Sequence, residues 1–277
     1  MPHVSPVFLA VAALALGAGG FAGVTAGGVT AGGARAGSAT LCGYQAAPVD
    51  DGRYTVENDE WDSSSPECVT TDHRAEFQVA SSAISNPADG APGGYPSIFA
   101  GCHWGDCTQG GLAAQPLLLA RLRAGMVTSS WYTTGPGGSG GIYDAAYDIW
   151  INRQPTTTGA PDGSEIMVWI SHHGPVRPAG SLVAAGVRIG GHRFDVWYSP
   201  GSGRPGIVSY EMAGPHTSVT GLDIAAIISN AERRGYASPS WHLISVEAGF
   251  EIWRGGKGLA TRLFSVSLKV NPRGWSS

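Results

Sequence analysis

The sequence predicts an all-β fold in which two sheets form a sandwich or jelly roll, with one helix packed on it. Short runs of alternating apolar and polar residues recur along the chain, separated by Gly, Pro, Asn and Ser. Glycine alone accounts for 42 of the 277 residues, whereas its average share in proteins is about 7%. Patterns with the helical period are almost absent. This combination is typical of β-sandwiches and jelly rolls.

The alternating runs define the candidate strands, and turn signals such as Gly190-Gly191 and Gly255-Gly256 separate several of them. The predicted strands cover residues 53–58, 74–81, 129–132, 145–152, 165–170, 182–189, 192–198, 208–211, 242–253 and 259–270. Successive side chains of a strand point to opposite faces, so each run also predicts which residues face the core.

One segment has helical periodicity instead. Its apolar residues follow i, i+3, i+4, i+7 spacing at Ile224, Ile227, Ile228 and Ala231. Asp223 stands at its start, and Arg233, Arg234 and Gly235 stand at its end, as expected for helix termini. We therefore predict a single helix here.

The first 36 residues are predicted to be a secretory signal peptide. Their apolar run, residues 7–16, is shorter than the roughly 20 residues that span a bilayer, and Ala34-Arg35-Ala36 offers a cleavage site. Cleavage after Ala26 and an uncleaved anchor are the alternatives. Residues 37–277 are predicted to form one domain, in which residues 38–41 only tether the signal segment. We expect a secreted protein with no membrane partner after cleavage.

Charge and composition limit the classes of partner. Charged residues make up 14% of the chain, the net charge is −4, and the sequence has no basic cluster. A nucleic acid or an anionic membrane is therefore not expected as a partner, and a neutral one is.

The four cysteines predict two disulfides in an exported protein. Of the three connectivities that four cysteines allow, we prefer the sequential one because it closes two local loops: Cys42–Cys68 and Cys102–Cys107. A metal site built from Cys102, His103, Cys107, His172 and His173 is the competing interpretation. No C-x-x-C or H-x-x-x-H spacing supports it.

Three predicted strands each place a carboxylate and a tryptophan on the same face, two residues apart in two of them. The pairs are Glu251 with Trp253, Glu165 with Trp169 beyond Met167, and Asp148 with Trp150; in the second pair the spacing is four residues, with Met167 between. Trp61 and Trp104 add further indoles. Sugar rings stack on indoles, and cleavage of a glycosidic bond requires two carboxyl groups. The simpler interpretations are ion-paired surface acids or a sugar-binding module without catalysis, which would not need two opposed glutamates.

These motifs resemble one family. The segments "GCHWGDCT", "YDAAYDIWI", "SEIMVWISHHGPVRPAGS" and "VEAGFEIWRGGKGLATRLFSVS" occur in the order and with the gaps of glycoside hydrolase family 12, over residues 54–268. The resemblance implies a β-jelly roll with an open substrate cleft. It also implies a secreted, retaining endo-β-1,4-glucanase, with a xyloglucan-specific enzyme as the alternative.

Carried over by motif, the family's nucleophile falls on Glu165 and its acid/base on Glu251. The aspartate beside the nucleophile falls on Asp148, and two substrate-binding positions fall on Met167 and Trp61. The resemblance also implies the two local disulfides. A β-glucan polysaccharide is the expected partner, no metal or organic cofactor is expected, and we expect a monomer.

Two departures add negative charge to the predicted cleft: Asp59 stands where the family usually has Asn, and Glu247 where it usually has Gln. We expect both, together with Trp104, to contact substrate. Glu247 lies four residues from Glu251 along one strand face, hence about 13 Å away. At that distance Glu247 should raise the pKa of Glu251 by only a few tenths of a unit.

Overall fold

The computed structural model describes residues 38–135, 140–201 and 206–269. The predicted signal peptide and its cleavage site lie outside these residues, as does the end of the last predicted strand. Among the helices of the described residues, none has the length and hydrophobicity that spanning a bilayer requires.

The described residues form two sheets. In chain order the strands are β1 (Ala39–Cys42), β2 (Ala46–Val49), β3 (Tyr54–Glu57), β4 (Glu67–Thr71), β5 (Phe77–Ser82), β6 (Ser97–His103), β7 (Asp106–Cys107), β8 (Leu117–Leu118), β9 (Val127–Thr134), β10 (Ile142–Asn152), β11 (Ser164–His173), β12 (Ser181–Ile189), β13 (His192–Ser199), β14 (Gly206–Met212), β15 (Ser218–Asp223), β16 (His242–Gly249), β17 (Ile252–Arg254) and β18 (Ala260–Leu268). The smaller sheet has the order β1-β4-β5-β18-β9-β15, and the larger sheet has the order β12-β13-β14-β11-β10-β16-β6-β3-β2. This arrangement confirms the predicted two-sheet β fold.

The core lies between the sheets, on the faces that the alternation predicts. On β10 the buried residues are Tyr147, Ile149 and Ile151, and on the 246–252 segment they are Val246, Ala248, Phe250 and Ile252. Tyr147 and Phe250 pack around Trp131 with ring centroids 5.3 and 5.7 Å away. Burial of a large aromatic side chain contributes about 1.5–3 kcal/mol. This packing fixes the strands whose other face carries the carboxylates.

The predicted helix is present as α2 (Ile224–Arg233). The carboxylate of Asp223 caps it by accepting the Ala226 N–H at 3.0 Å, and also accepts the Gly125 N–H at 2.8 Å. Its apolar stripe, Ile224, Ile227, Ile228 and Ala231, is buried. The prediction of a single helix was incomplete, because α1 (Gly111–Ala114) and a 3-10 turn at Leu119–Arg121 are also present. Both are too short to show periodicity.

Two predicted segments differ from the structure. Residues 39–42 are not a tether but the edge strand β1, which pairs with β4 from Ala39 opposite Thr71 to Cys42 opposite Cys68. The predicted strand 242–253 is divided into β16 and β17, with Phe250 and Glu251 between them. The division places Glu251 between β16 and β17, both of which pair with β10.

The structure contains the disulfides Cys42–Cys68 and Cys102–Cys107. The first joins the neighbouring strands β1 and β4, and the second closes the hairpin of β6 and β7. With both pairs oxidised, these cysteines cannot form the metal site considered as an alternative.

Candidate active site

Three adjacent strands of the larger sheet bring the predicted carboxylates together. β10 lies between β11 and β16, so that Trp150 is opposite Glu165 and Asp148 is opposite both Met167 and Glu247. The alternate residues of all three strands belong to the core. The side chains named here therefore share the face directed away from it.

Glu165 is the second residue of β11 and is held at the start of a firmly anchored strand. The preceding hydroxyl, Ser164 Oγ, donates to the carbonyl oxygens of Tyr236 at 2.9 Å and Gly206 at 3.3 Å. Burial, as the largest cause, and the negative charges of Glu251 and Glu247 together raise the pKa of Glu165 to about 8. The charge of Glu251 thus opposes ionisation of Glu165.

Glu251 lies in the gap between β16 and β17 and is half-buried. Its backbone is held by Asp144, a residue that the sequence analysis missed. The Asp144 N–H donates to the carbonyl oxygen of Glu251 at 3.0 Å, and the Glu251 N–H donates to Asp144 Oδ1 at 3.2 Å. Burial raises the pKa of Glu251 well above its usual range, and the charge of Asp144 and a hydrogen bond between the two side chains raise it further.

Asp148 lies between the two glutamates on β10 and is buried. Burial is the largest cause that raises its pKa well above the usual range, followed by the charges of Glu165, Glu251 and Glu247. Its Oδ1 atom has no hydrogen-bond partner among the described residues. A protonated, neutral Asp148 is the state that this environment favours.

The floor beside the carboxylates is apolar. Met167 and Trp169 of β11 pack with Ala146 of β10, Val176 and Trp253 in a cluster separate from the main core. Trp253 is fixed by its Nε1–H, which donates to the Gly90 carbonyl oxygen at 2.8 Å. Met167 lies opposite Asp148 in the pairing of β10 and β11.

Trp104 occupies the tip of the β6–β7 hairpin, with Gly105 as the other turn residue. Both residues have positive φ angles, 42° and 94°, as in a two-residue type I′ turn. A bulky residue rarely adopts this conformation, and the Cys102–Cys107 disulfide spans the base of the turn. The turn holds Trp104 edge-on to Trp150, with ring centroids 5.1 Å apart, while half of its surface remains exposed. This exposed indole suits a sugar ring.

Trp61 also remains exposed, at 44% of its surface. Its neighbours in the chain are fixed, because the Glu60 N–H donates to the Gly43 carbonyl oxygen and the Asp62 N–H donates to that of Gly93, both at 3.1 Å. A large exposed indole on an anchored loop is available for stacking.

Asp59 and Glu247 belong to a group of acidic side chains around His103. His103 Nδ1 is 3.0 and 3.1 Å from the two oxygens of Glu247 and 3.3 Å from an oxygen of Glu57. The charges of Glu247, Glu57 and Asp59 outweigh burial and raise the pKa of His103 to about 10. His103 is therefore a cation at neutral pH. We refer to Glu57, Asp59, His103 and Glu247 as the histidine cluster.

The histidine cluster changes the interpretation of Glu247. Its side chain is fully covered and contacts His103, whose ring lies against Trp104 with centroids 4.3 Å apart. The groups that raise the pKa of Glu251 do not include Glu247. Burial and the charges of neighbouring acids raise the pKa of Asp59 to about 6, while His103 lowers it.

The same side chains could in principle hold a cation, since one atom each of Glu57, His103 and Glu247 lie within 4.8 Å of one another. A metal would require the Nδ1 lone pair of His103. The shared contacts of Nδ1 with both glutamates are those of a ring N–H donor instead, and a proton satisfies the set.

A side pocket of about 230 Å³ lies at the other end of β11 and is lined by Trp169, Ser171, His172 and Glu211 among others. His172 Nε2 is 3.5 Å from Glu211 Oε1, and the Trp197 Nε1–H donates to Glu211 Oε2 at 3.0 Å. Polar side chains and the indole of Trp169 thus line this pocket.

Comparison with known proteins gives a consistent result. The model of glycosyl hydrolase family 12 matches residues 52–269. The chain is 35% identical over 131 residues to a probable cellulase of Mycobacterium tuberculosis, covering 47% of this chain and 83% of that protein. It is 26% identical over 122 residues to endoglucanase A of Aspergillus kawachii, but these cover only 43% of this chain and 50% of that protein.

Solved structures show the same fold. An endoglucanase from Rhodothermus marinus superposes with a TM-score of 0.76 at 35% identity, covering 83% of this chain and 99% of that chain. A family 12 xyloglucanase from Bacillus licheniformis superposes with a TM-score of 0.72 at 23% identity, covering 84% and 100%. At that identity the second likeness shows the fold alone.

Proposed function

The chain belongs to glycosyl hydrolase family 12, and from this premise we propose that it is a secreted, retaining endo-β-1,4-glucanase. Its membership makes it a glycoside hydrolase of the endoglucanase type. The retaining mechanism, the β-1,4-glucan substrate, the secretion and the roles of individual residues are our proposals. The observation that carries them is the pair of half-buried glutamates, Glu165 and Glu251, on a face with exposed indoles.

The two glutamates have different carboxyl neighbours, and a double displacement requires them in different protonation states. One must be ionised to attack carbon and the other must hold a proton for the leaving oxygen. Asp148 supports ionisation of Glu165, because it remains neutral and can donate a hydrogen bond to the carboxylate. Glu251 interacts instead with Asp144, and this interaction raises the pKa of Glu251. Glu165 is therefore the nucleophile and Glu251 the acid/base.

In the first step a Glu165 oxygen attacks the anomeric carbon, while the proton of Glu251 passes to the glycosidic oxygen and the glycosidic bond breaks. The leaving chain departs with a new hydroxyl group, and the other sugar stays bound to Glu165 as an ester. In the second step Glu251 takes a proton from water. The water oxygen bonds to the anomeric carbon, and the ester bond to Glu165 breaks.

The surroundings favour a neutral polysaccharide. Buried carboxyl groups crowd the face that carries Glu165, Asp148 and Glu251, so an anionic chain would be repelled. Trp61 and Trp104 offer exposed indoles to the apolar faces of glucose units. Two disulfides support secretion, because disulfides persist in oxidising compartments.

We expect the purified protein to hydrolyse soluble β-1,4-glucans and to cut them internally. Hydroxyethylcellulose, mixed-linkage β-glucan, xyloglucan and a β-1,3-glucan should be compared by viscosity loss and by release of reducing ends. An endo-acting enzyme lowers viscosity long before many reducing ends appear. Higher kcat/KM on xyloglucan would favour the xyloglucan-specific alternative. Binding without release of reducing ends from any of the four would contradict the proposal and indicate a sugar-binding module.

A further inference from the structure

Asp144 is a buried carboxyl group that the reaction described above does not use. It has no exposed surface and lies on β10 four residues before Asp148, on the same strand face. Two hydrogen bonds join it to Glu251, one from the Asp144 N–H to the Glu251 carbonyl oxygen at 3.0 Å and one from the Glu251 N–H to Asp144 Oδ1 at 3.2 Å. The carboxyl group of Asp144 is thus fixed against the backbone of the proposed acid/base.

The second carboxylate oxygen of Asp144, Oδ2, takes no part in these hydrogen bonds. Oδ2 is buried and has no hydrogen-bond partner among the described residues. Burial of a carboxylate oxygen costs free energy unless a hydrogen bond compensates for it, and a proton shared with a neighbouring carboxyl group provides such a bond. An asparagine could accept the Glu251 N–H equally well, so holding the backbone does not require an ionisable group.

The titratable groups around the pair come from four elements. Asp148 acts on Asp144 through its charge, and the charge of Glu251 raises the pKa of Glu165. Tyr95, which is buried, is affected by the charges of Asp144 and Glu251 together with those of Asp148 and Glu247. Of these groups only Glu251 forms a hydrogen bond with the Asp144 side chain among the described residues, from its backbone N–H to Oδ1 at 3.2 Å. The natural proton-sharing partner of Asp144 is therefore Glu251.

We propose that Asp144 is a positioning residue for the catalytic proton: the two carboxyl groups hold one proton between them, and Asp144 keeps it on Glu251 until a glycosidic oxygen accepts it. This inference rests on the proposed acid/base role of Glu251. The pair needs no further proton donor. Transfer of the proton to the leaving oxygen leaves both carboxylates charged only until the second step. The proton that Glu251 removes from water then restores the original state.

The direction of the mutual influence agrees with this order of proton loss. Burial is the largest cause that raises the pKa of Asp144 to about 7, and the interaction with Glu251 opposes this rise. The same interaction raises the pKa of Glu251, which burial has already raised. As the pH rises, Asp144 loses its proton first and Glu251 keeps the remaining one. Such a pair titrates as a unit.

The test is Asp144→Asn, measured as the pH dependence of kcat/KM on soluble β-glucan. Asparagine keeps the acceptor for the Glu251 N–H but removes the negative charge, and its amide can donate to the Glu251 carboxylate. We expect the alkaline limb to move to lower pH by at least about one unit, equivalent to about 1.4 kcal/mol in the ionisation of Glu251. One unit above the wild-type limb, relative activity should fall about tenfold further. The matched control is Asp223→Asn, which removes the charge of an aspartate that also accepts backbone N–H groups, outside the cleft.

A purely structural role predicts a different result, namely a lower Tm with the alkaline limb unmoved, and that result would overturn the inference. If Asp144→Asn does not fold, carbon-13 NMR of wild-type protein labelled at its carboxyl carbons provides the second measurement. Glu251 should retain its proton to higher pH than Asp144, and the reverse order would overturn the inference. Failure of the proposed function is recognised separately, because the wild type would then hydrolyse no β-glucan.

Discussion

The substitutions Glu165→Gln and Glu251→Gln should each abolish most β-glucan hydrolysis while leaving the fold intact. Loss of a general acid reduces rates by about 10²- to 10⁴-fold, and loss of the nucleophile should cost at least as much, because no covalent intermediate can form. The measurement is kcat on soluble β-1,4-glucan. Glu232→Gln, on helix α2 away from the cleft, is the matched control and should retain wild-type activity.

The two variants should differ with an activated substrate. A dinitrophenyl β-cellobioside has a leaving group that needs no protonation, so Glu251→Gln should still form the glycosyl-enzyme from it at close to the wild-type rate. Glu165→Gln should remain inactive. Equal losses on both kinds of substrate in both variants would contradict the assigned roles.

The expected stability of the Glu165→Gln variant follows from the pKa of Glu165. Its pKa is raised in the folded protein to about 8, above the value of about 4.3 for an exposed glutamate. Ionisation therefore opposes folding at pH values above the unfolded pKa, and a neutral glutamine removes that cost. Glu165→Gln should accordingly have an equal or higher Tm at pH 7. A marked loss of stability would show that the activity loss arose from unfolding.

Removal of His103 should produce the largest loss of stability. His103→Gln leaves Glu57 and Glu247 buried without their cation, and breaking a buried ion pair from one side costs about 3–5 kcal/mol. Glu247→Gln should cost less, because His103 keeps Glu57. The double variant should be more stable than the sum of the two losses implies, since it removes both charges. Chemical denaturation of the four proteins at pH 7 measures this coupling.

The pH dependence of this loss has a definite sign. The folded pKa of His103, about 10, lies above the unfolded value of about 6.5. Its stabilising contribution is therefore fully present below pH 6.5 and disappears as the pH rises through 10. The difference in unfolding free energy between wild type and His103→Gln should shrink between pH 7 and pH 10. A difference that stays constant would show that His103 acts through packing instead of charge.

The sequence predicted those parts of the site that depend on local alternation. Glu165, Asp148 and Met167 each lie on a long strand with an apolar opposite face, so the pattern assigns their orientation. Short and edge elements such as β1, β15 and α1 were missed, because four to six residues carry too little periodicity. β1 also follows the small-residue tract and resembles a tether in composition.

The residues that modify the carboxylates could not be predicted in the same way. Glu57 meets His103 and Glu247 only because β6 pairs with both β3 and β16, which is a long-range pairing. The strand alternation could have indicated Asp144, because it shares a strand face with Asp148 four residues away. Its contact with Glu251, however, depends on the interruption between β16 and β17 that the sequence pattern did not indicate.

The central claim, a double displacement with Glu165 as the nucleophile and Glu251 as the acid/base, is tested most directly by the stereochemistry of the first product. Proton NMR spectra recorded in the first minutes of β-glucan hydrolysis distinguish the two anomers before mutarotation mixes them. Two successive inversions at the anomeric carbon retain its configuration. We predict a new reducing end that appears first as the β anomer and converts slowly to α. A first product in the α form would contradict the account, because it requires direct attack by water and leaves Glu165 without its covalent role.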